Sequence, residues 1–130
     1  MPTNITQKVT LSARPGKVYN ALMVSREHTK FSGVPAKIST NVGGAGSAYG
    51  GHISTVNLVL KPGKCIVQAW RAGDWPADKW SVVAYRLKAK KGGKTALSFS
   101  QTGVPAQKHG AIGKGWKAFY WGPLNKYFKA

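Results

Sequence analysis

Between residues 80 and 128 the hydrophobic period changes once, and that change limits the folds open to the chain. Residues 80–89 and 94–102 alternate apolar and polar side chains around a Lys-Lys-Gly-Gly turn, which is typical of a β-hairpin with one buried face. Apolar side chains then recur at helical spacing, at Ile112, Trp116, Phe119, Tyr120, Leu124 and Tyr127. The segment predicts an antiparallel sheet followed by a helix that faces its apolar side.

The preceding residues predict further strands and two short helices. Turn signals rich in Gly and Pro separate the apolar runs, and four consecutive runs form an antiparallel meander that ends with the hairpin above. The predicted elements are a strand over 5–11, a helix opening at 12–15, a helix over 26–31, and strands over 36–40, 47–49, 52–60 and 65–71. This order describes one α+β domain over residues 1–130, with helices towards both ends.

Three residues mark helix ends or interruptions. Ser12 and Ser25 are predicted N-caps, because a serine hydroxyl can accept a hydrogen bond from the first helical turn. Pro123 has no N–H to bond the carbonyl of Phe119, so we expect a kink or a brief break in the last helix.

The charge of the chain is strongly one-sided. Among 130 residues there are 20 Lys and Arg against 3 Asp and Glu, which gives a formal charge of +17. Only four of these cations are Arg, the residue that makes bidentate hydrogen bonds to phosphates and guanine edges. The pattern therefore favours a solvated, non-specific basic surface over a nucleic-acid site that recognises sequence. The same surplus still attracts polyanions.

The meander places the turns 61–64 and 90–94 at the same end of the sheet, because they are two strands apart. The loop that carries Asp74 and Asp78 then lies at the opposite end. We expect a lysine pole that binds polyanions weakly and without sequence preference. Its predicted members are Lys61, Lys64, Lys88, Lys90, Lys91 and Lys94.

The reactive residue types do not form a recognisable catalytic or metal-binding set. His28, His52 and His109 lack metal-ligand spacing, and Cys65 has no neighbouring base in the sequence. One cysteine excludes an internal disulfide, and neither a membrane-spanning run nor a secretory signal is present. We therefore expect a cytoplasmic protein without a metal or cofactor, and we assign no catalytic residues.

Several blocks of the sequence occur in an order that is typical of one family. The most specific are Ile-Val-Gln-Ala-Trp-Arg at 66–71, Asp-Trp-Pro at 74–76, Thr-Gly-Val-Pro at 102–105 and the aromatic-rich run at 113–128. Over residues 5–128 the chain resembles small proteins like the C-terminal domain of the activator of the heat-shock protein 90 ATPase, within the START-like (SRPBCC) superfamily. The resemblance implies a helix-grip fold, in which a curved antiparallel sheet wraps around a long C-terminal helix.

The resemblance also implies a cavity between sheet and helix, which often holds an apolar ligand in this superfamily. In eukaryotic relatives such a domain helps to stimulate the chaperone ATPase together with a separate N-terminal domain. We do not carry this activation over to the chain, because we expect no room for that second domain within 130 residues. Relatives also carry several acidic residues where this chain has Lys, Ala, Gln or Gly, which argues against contacts that need acids.

Aromatic side chains on the predicted inner faces supply the best candidate site. They suit either a packed core or the wall of an apolar cavity, with glutamine and tyrosine side chains to orient a ligand. The candidate cavity residues are Gln68, Trp70, Tyr85, Phe99, Gln101, Trp116 and Tyr120.

The sequence thus predicts a non-catalytic domain that binds a small apolar or amphipathic ligand between helix and sheet. Three alternatives remain open: a basic module that binds nucleic acid or another polyanion, a co-chaperone-like protein-binding domain, and an enzyme. Abundant Arg on one face would favour nucleic acid, and a His–carboxylate pair on the inner face would favour an enzyme, but the sequence displays neither.

Overall fold

The computed structural model describes residues 4–76 and 78–129. Within them, a 3₁₀ turn (Ala106–Lys108) precedes the third helix, and a π-helical segment (Lys117–Trp121) joins the third helix to the fourth. The main elements are β1 (Ile5–Leu11), α1 (Pro15–Met23), α2 (Ser25–Ser32), β2 (Ala45–Ala48), β3 (Ile53–Lys61), β4 (Cys65–Ala72), β5 (Ser81–Lys90), β6 (Lys94–Thr102), α3 (His109–Trp116) and α4 (Gly122–Lys129).

The strands form one antiparallel sheet in the order β1-β6-β5-β4-β3-β2. Each of β3, β4 and β5 pairs with the next strand in the chain, which confirms the predicted four-stranded meander, and β1 pairs with β6. The alternation predicted from the sequence is also confirmed: Tyr85 lies opposite Phe99 and both are buried, whereas the flanking Arg86 and Lys88 are exposed. The sheet therefore has one apolar inner face.

The C-terminal helices lie across this inner face. The Trp116 ring centroid is 4.3 Å from that of Phe99 on β6 and 5.4 Å from that of Trp70 on β4. Further along, Trp121 Nε1 donates a hydrogen bond of 2.6 Å to Gln7 Oε1 on β1. Because the helix contacts strands across the sheet, the helix-grip architecture predicted from the resemblance is confirmed.

The two predicted helix caps are wrong. Pro15 occupies the first turn of α1, so the N-cap position falls on Arg14 rather than Ser12, and no side chain caps that end. Ser25 lies inside α2, and its hydroxyl accepts a hydrogen bond of 2.8 Å from the backbone N–H of Ile38. The serine thus ties α2 to the following loop instead of capping the helix.

The strand predicted over 36–40 is also wrong. Only a single bridge forms there, between Lys37 and Ser47. The backbone N–H groups on either side of it bond to helix side chains, that of Ala36 to the Thr29 hydroxyl at 3.1 Å and that of Ile38 to Ser25. Side-chain acceptors on α2 therefore hold this segment by the two N–H groups that face away from β2.

The irregularity expected at Pro123 is present as the π-helical segment just before it. Because proline has no N–H, it cannot donate to the carbonyl of Phe119, and the Tyr49 hydroxyl donates to that carbonyl instead. Tyr49 directly follows β2 and has the left-handed conformation, with φ of 53°. The break in the helix and the end of the second strand are thus joined by one hydrogen bond.

None of the helices in the described parts of the chain, 4–76 and 78–129, is both long and apolar enough to cross a membrane.

Candidate functional site

All seven residues predicted to line a ligand cavity are buried, and several of them are in direct contact with one another. Tyr85 and Phe99 are in ring contact at 5.3 Å, and Phe99 packs on Trp116. Trp116 Nε1 donates to Gln101 Oε1 at 2.7 Å, and Gln101 Nε2 donates to Ser81 Oγ at 2.9 Å. Phe99 and Gln101 therefore belong to the packed middle of the helix–sheet interface rather than to the two spaces described next.

A groove of about 490 Å³ lies beside this packed middle, between α3 and the β3–β4 hairpin. Three of the seven predicted residues line it: Trp70, Trp116 and Tyr120. Most of the remaining wall is apolar, with Ile53 from the sheet and Ile112 from the helix. The open space thus lies at one side of the predicted cavity, towards the β2 edge of the sheet.

Small residues on α3 help to keep the groove open. Ala111 and Gly115 line it from the helix, where larger side chains would project into the space. A Cβ on Gly115 would lie 3.8 Å from Phe119 Cδ2, which is an ordinary contact. The position would therefore accept a Cβ, but the atoms of a longer side chain would occupy the groove.

Phe119 is the residue that the sequence pattern misplaced. Its helical spacing predicted a position facing the sheet, but it is 57% exposed and lies in the groove wall beside Tyr49, at 5.6 Å between ring centroids. The π-helical turn changes the angular spacing of the residues that follow α3, and simple helical periodicity cannot anticipate this. The result is a large, exposed aromatic ring beside an apolar groove.

A pair of charges adjoins the apolar wall. Lys108 Nζ lies 2.8 Å from Asp74 Oδ2, and this hydrogen bond, with the lysine charge, lowers the pKa of the Asp74 carboxyl. Arg71, close to this pair in the sequence, donates to the backbone carbonyls of Trp75 and Pro76, at 2.8 and 3.1 Å, and so holds the loop that follows β4.

A second, much smaller cavity of about 20 Å³ lies deeper, among α1, α2 and the inner face of the sheet. Trp70 and Tyr120 line it as well as the groove, and Gln68, Tyr85 and His28 contribute polar atoms. Burial lowers the pKa of His28 to about 4 and raises that of Tyr120 well above its ordinary value. At neutral pH these groups are therefore uncharged.

His28 is the functional candidate that sequence reasoning missed. It was examined only as a metal ligand, whereas the structure buries it on α2 against the rings of Phe31 and Tyr120, at 4.5 and 5.5 Å. Its position one turn before Phe31, on the apolar side of α2, was the available signal. No group of three His, Cys, Asp or Glu side chains that could hold a metal ion occurs among residues 4–76 and 78–129.

The turns that carry the predicted lysine pole do lie at one end of the sheet. They follow the pairs Lys61–Cys65 and Lys90–Lys94, and the backbone N–H of Leu87 bonds the carbonyl of Lys64 at 2.8 Å. All six lysines of the pole are exposed, whereas Asp74 lies by the groove at the other end of β4.

Comparison with known proteins agrees with this architecture. The model of a family described as "Activator of Hsp90 ATPase homolog 1-like protein" matches residues 12–129. An activator of 90 kDa heat shock protein ATPase homolog from Dictyostelium discoideum is 30% identical over 118 residues, which cover 89% of this chain and 31% of that protein. The chain thus spans about a third of the length of that relative.

Solved structures give the same picture of the fold. An HSP90 activator from Plasmodium falciparum superposes with a TM-score of 0.90 at 20% identity, covering 98% of this chain and 96% of that one. CalU16 from Micromonospora echinospora superposes with a TM-score of 0.81 at 20% identity, covering 96% of this chain and 75% of that one. The family match over most of the chain, together with this shared fold, places the protein in the family of activator of Hsp90 ATPase homolog 1-like proteins.

Proposed function

We propose that the protein binds a small amphipathic molecule, without chemical conversion, in the groove between α3 and the β3–β4 hairpin. The observation that carries this proposal is a groove of about 490 Å³ whose wall is mostly apolar and aromatic. The aromatic rings of the wall would contact the apolar part of the ligand, and the Lys108–Asp74 pair would contact its polar part.

Native mass spectrometry of the purified chain tests the proposal directly. We expect, besides the free protein, a species heavier by the mass of one small organic molecule, which organic extraction then releases for identification. A protein that carries no such molecule and also fails to bind any member of a panel of neutral aromatic and aliphatic compounds would contradict the proposal.

A larger side chain on the helical side of the groove should weaken ligand binding. In Gly115→Leu the new side chain projects into the space that the glycine preserves, so we expect at least about a tenfold loss of affinity for the neutral dye Nile red, since about 1.4 kcal/mol of lost contact suffices. Gly110→Leu is the matched control, because Gly110 lies on the same helix with nothing within 4 Å of a Cβ. Equal affinity of the two variants would show that the dye binds elsewhere.

A second candidate function, weak binding to polyanions, is favoured by the lysine pole. We expect retention on heparin to fall steeply between about 50 and 500 mM salt, because such binding is driven by counterion release. Changing Lys61, Lys64, Lys90 and Lys91 to Gln should weaken retention far more than the same change at Lys37, Lys79, Lys114 and Lys117, which removes equal charge elsewhere. Retention that resists high salt, or that both sets reduce equally, would contradict a role for the pole.

A third candidate rests on the names of the relatives alone. Because the Dictyostelium relative is described as an activator of 90 kDa heat shock protein ATPase homolog, a chaperone of that class is a candidate protein partner. Co-sedimentation with such a chaperone, of the wild-type chain and of the variant with Gln at Lys61, Lys64, Lys90 and Lys91, tests this candidate.

A further inference from the structure

We propose that the small inner cavity receives an uncharged hydrogen-bonding group, a carbonyl or hydroxyl oxygen, at the leading end of the molecule bound in the groove. The inference rests on the groove-binding function proposed above and specifies the chemical class of its ligand. The side chains of Trp70 and Tyr120 line both spaces, so the two spaces adjoin at these residues.

The first argument is the number of polar atoms around this cavity that lack a partner. Trp70 Nε1 and His28 Nδ1 are fully buried and have no hydrogen bond within residues 4–76 and 78–129. An unpaired polar atom in a protein interior costs about 1–3 kcal/mol, and native structures seldom retain one without a reason. Here two such residues belong to the lining of the same space.

The tyrosine hydroxyls and the glutamine strengthen this argument. Gln68 Nε2 donates to Asn57 Oδ1 at 2.9 Å, but Gln68 Oε1 bonds to no described residue. The hydroxyls of Tyr85 and Tyr120 are likewise without a hydrogen bond to the described part of the chain. Donors and acceptors are thus both available around the cavity, which suits an oxygen that accepts bonds and, as a hydroxyl, also donates one.

The second argument is the absence of charge. Neither a Lys, Arg, Asp nor Glu side chain is among the described residues that line the inner cavity. A carboxylate or ammonium group would therefore lose its hydration without gaining an opposite charge, at a cost of several kcal/mol. Burial also keeps His28 neutral, so it offers no compensating cation at neutral pH.

The third argument is size. A volume of about 20 Å³ accommodates one water-sized group, which matches a single oxygen and excludes a ring. The groove, at about 490 Å³, has room for the apolar remainder. The ligand class that follows is a neutral, largely apolar molecule with a ketone, aldehyde, phenol or alcohol oxygen at its leading end.

Three naphthalene probes distinguish the effect of a hydrogen-bonding oxygen from the effects of molecular shape and of negative charge. 2-Acetylnaphthalene carries a ketone, 2-isopropenylnaphthalene replaces its oxygen by an isosteric CH₂ group, and 2-naphthoate carries a negative charge. In the double variant Tyr85→Phe/Tyr120→Phe we expect the affinity for the ketone to fall about tenfold, as two hydrogen bonds of ordinary strength allow, and the affinity for the alkene to change less than twofold. Tyr19→Phe, which removes a hydroxyl remote from both spaces, is the matched control.

The outcomes are distinct. If the double variant weakens ketone and alkene equally, or if the wild-type chain binds naphthoate as tightly as the ketone, the inference is overturned while binding in the groove stands. If no probe binds saturably, both proposals fail. A crystal structure of the ketone complex tests the same point without a variant. We expect the oxygen inside the inner cavity, within hydrogen-bond distance of the hydroxyls of Tyr85 and Tyr120, and an oxygen left in the groove above a structural water would overturn the inference.

Discussion

Trp116→Ala is expected to destabilise the fold by about 3–5 kcal/mol, the usual range for removing a large buried aromatic side chain. The Trp116 ring is almost fully buried, and it contacts Phe99, Trp70 and Tyr120 at 4.3, 5.4 and 4.5 Å. The substitution also leaves Gln101 Oε1 without its donor inside the core. The measurement is the free energy of unfolding, from urea titration followed by circular dichroism.

Phe119→Ala is the matched control for this prediction. It removes an aromatic side chain only three residues further on, but one that is 57% exposed, so we expect a loss below about 1 kcal/mol. An effect of Trp116→Ala no larger than that of Phe119→Ala would mean that the sheet does not hold the C-terminal helix.

The stability of the protein should fall as the pH is lowered from about 6.5 to about 4. Burial lowers the pKa of folded His28 to about 4, whereas an unfolded histidine titrates near 6.5. Between these values the unfolded state binds the proton more readily, so acidification favours unfolding. A difference of roughly 2.5 pKa units corresponds to a loss of about 3 kcal/mol across this window.

His28→Phe should remove this pH dependence while it retains ring packing against Phe31 and Tyr120. The tyrosines that surround His28 do not contribute, because burial raises the pKa of Tyr49 to about 12 and those of Tyr85 and Tyr120 further. The pKa of Glu27 is lowered by its hydrogen bond from Tyr127, so its effect falls mainly at more acidic pH and is shared by both proteins. Parallel stability curves for the two proteins between pH 6.5 and 4 would refute a neutral, buried His28.

The sheet and its register could be predicted because local pattern and tertiary structure agree there. Alternation at residues 80–102 identifies the inner face, and the Lys-Lys-Gly-Gly turn fixes the pairing of β5 with β6. The segment at 36–40 has a similar apolar pattern, yet it forms a bridge to β2 at Lys37 and is tied by its other side to hydroxyls on α2. Such contacts depend on residues that the folded chain alone brings together, and a local pattern does not contain them.

The candidate site was predictable only in part, for the same reason. Trp70, Trp116 and Tyr120 were predicted as inner-face aromatics, and the structure places them in the wall of the groove. A burial pattern, however, does not distinguish a packed core from a cavity wall. Phe99 and Gln101 were therefore predicted to line the cavity, although in the structure they pack against Trp116. The position of Phe119 was predicted wrongly because a π-helical turn changes the helical spacing, and this turn accepts a hydrogen bond from Tyr49, far away in the sequence.

Chemical-shift mapping by NMR, with ¹⁵N-labelled protein titrated with Nile red, tests the groove-binding account most directly. The backbone amides of Trp70 and Ala72 report from the sheet side of the groove, and those of Gly115 and Trp116 report from its helical side. The account predicts that these four signals shift together and saturate at one dye per chain, while the signals of Arg86 and Lys88 on the outer face stay unchanged. Shifts that do not saturate, or that spread over the outer face and spare the groove, would contradict it.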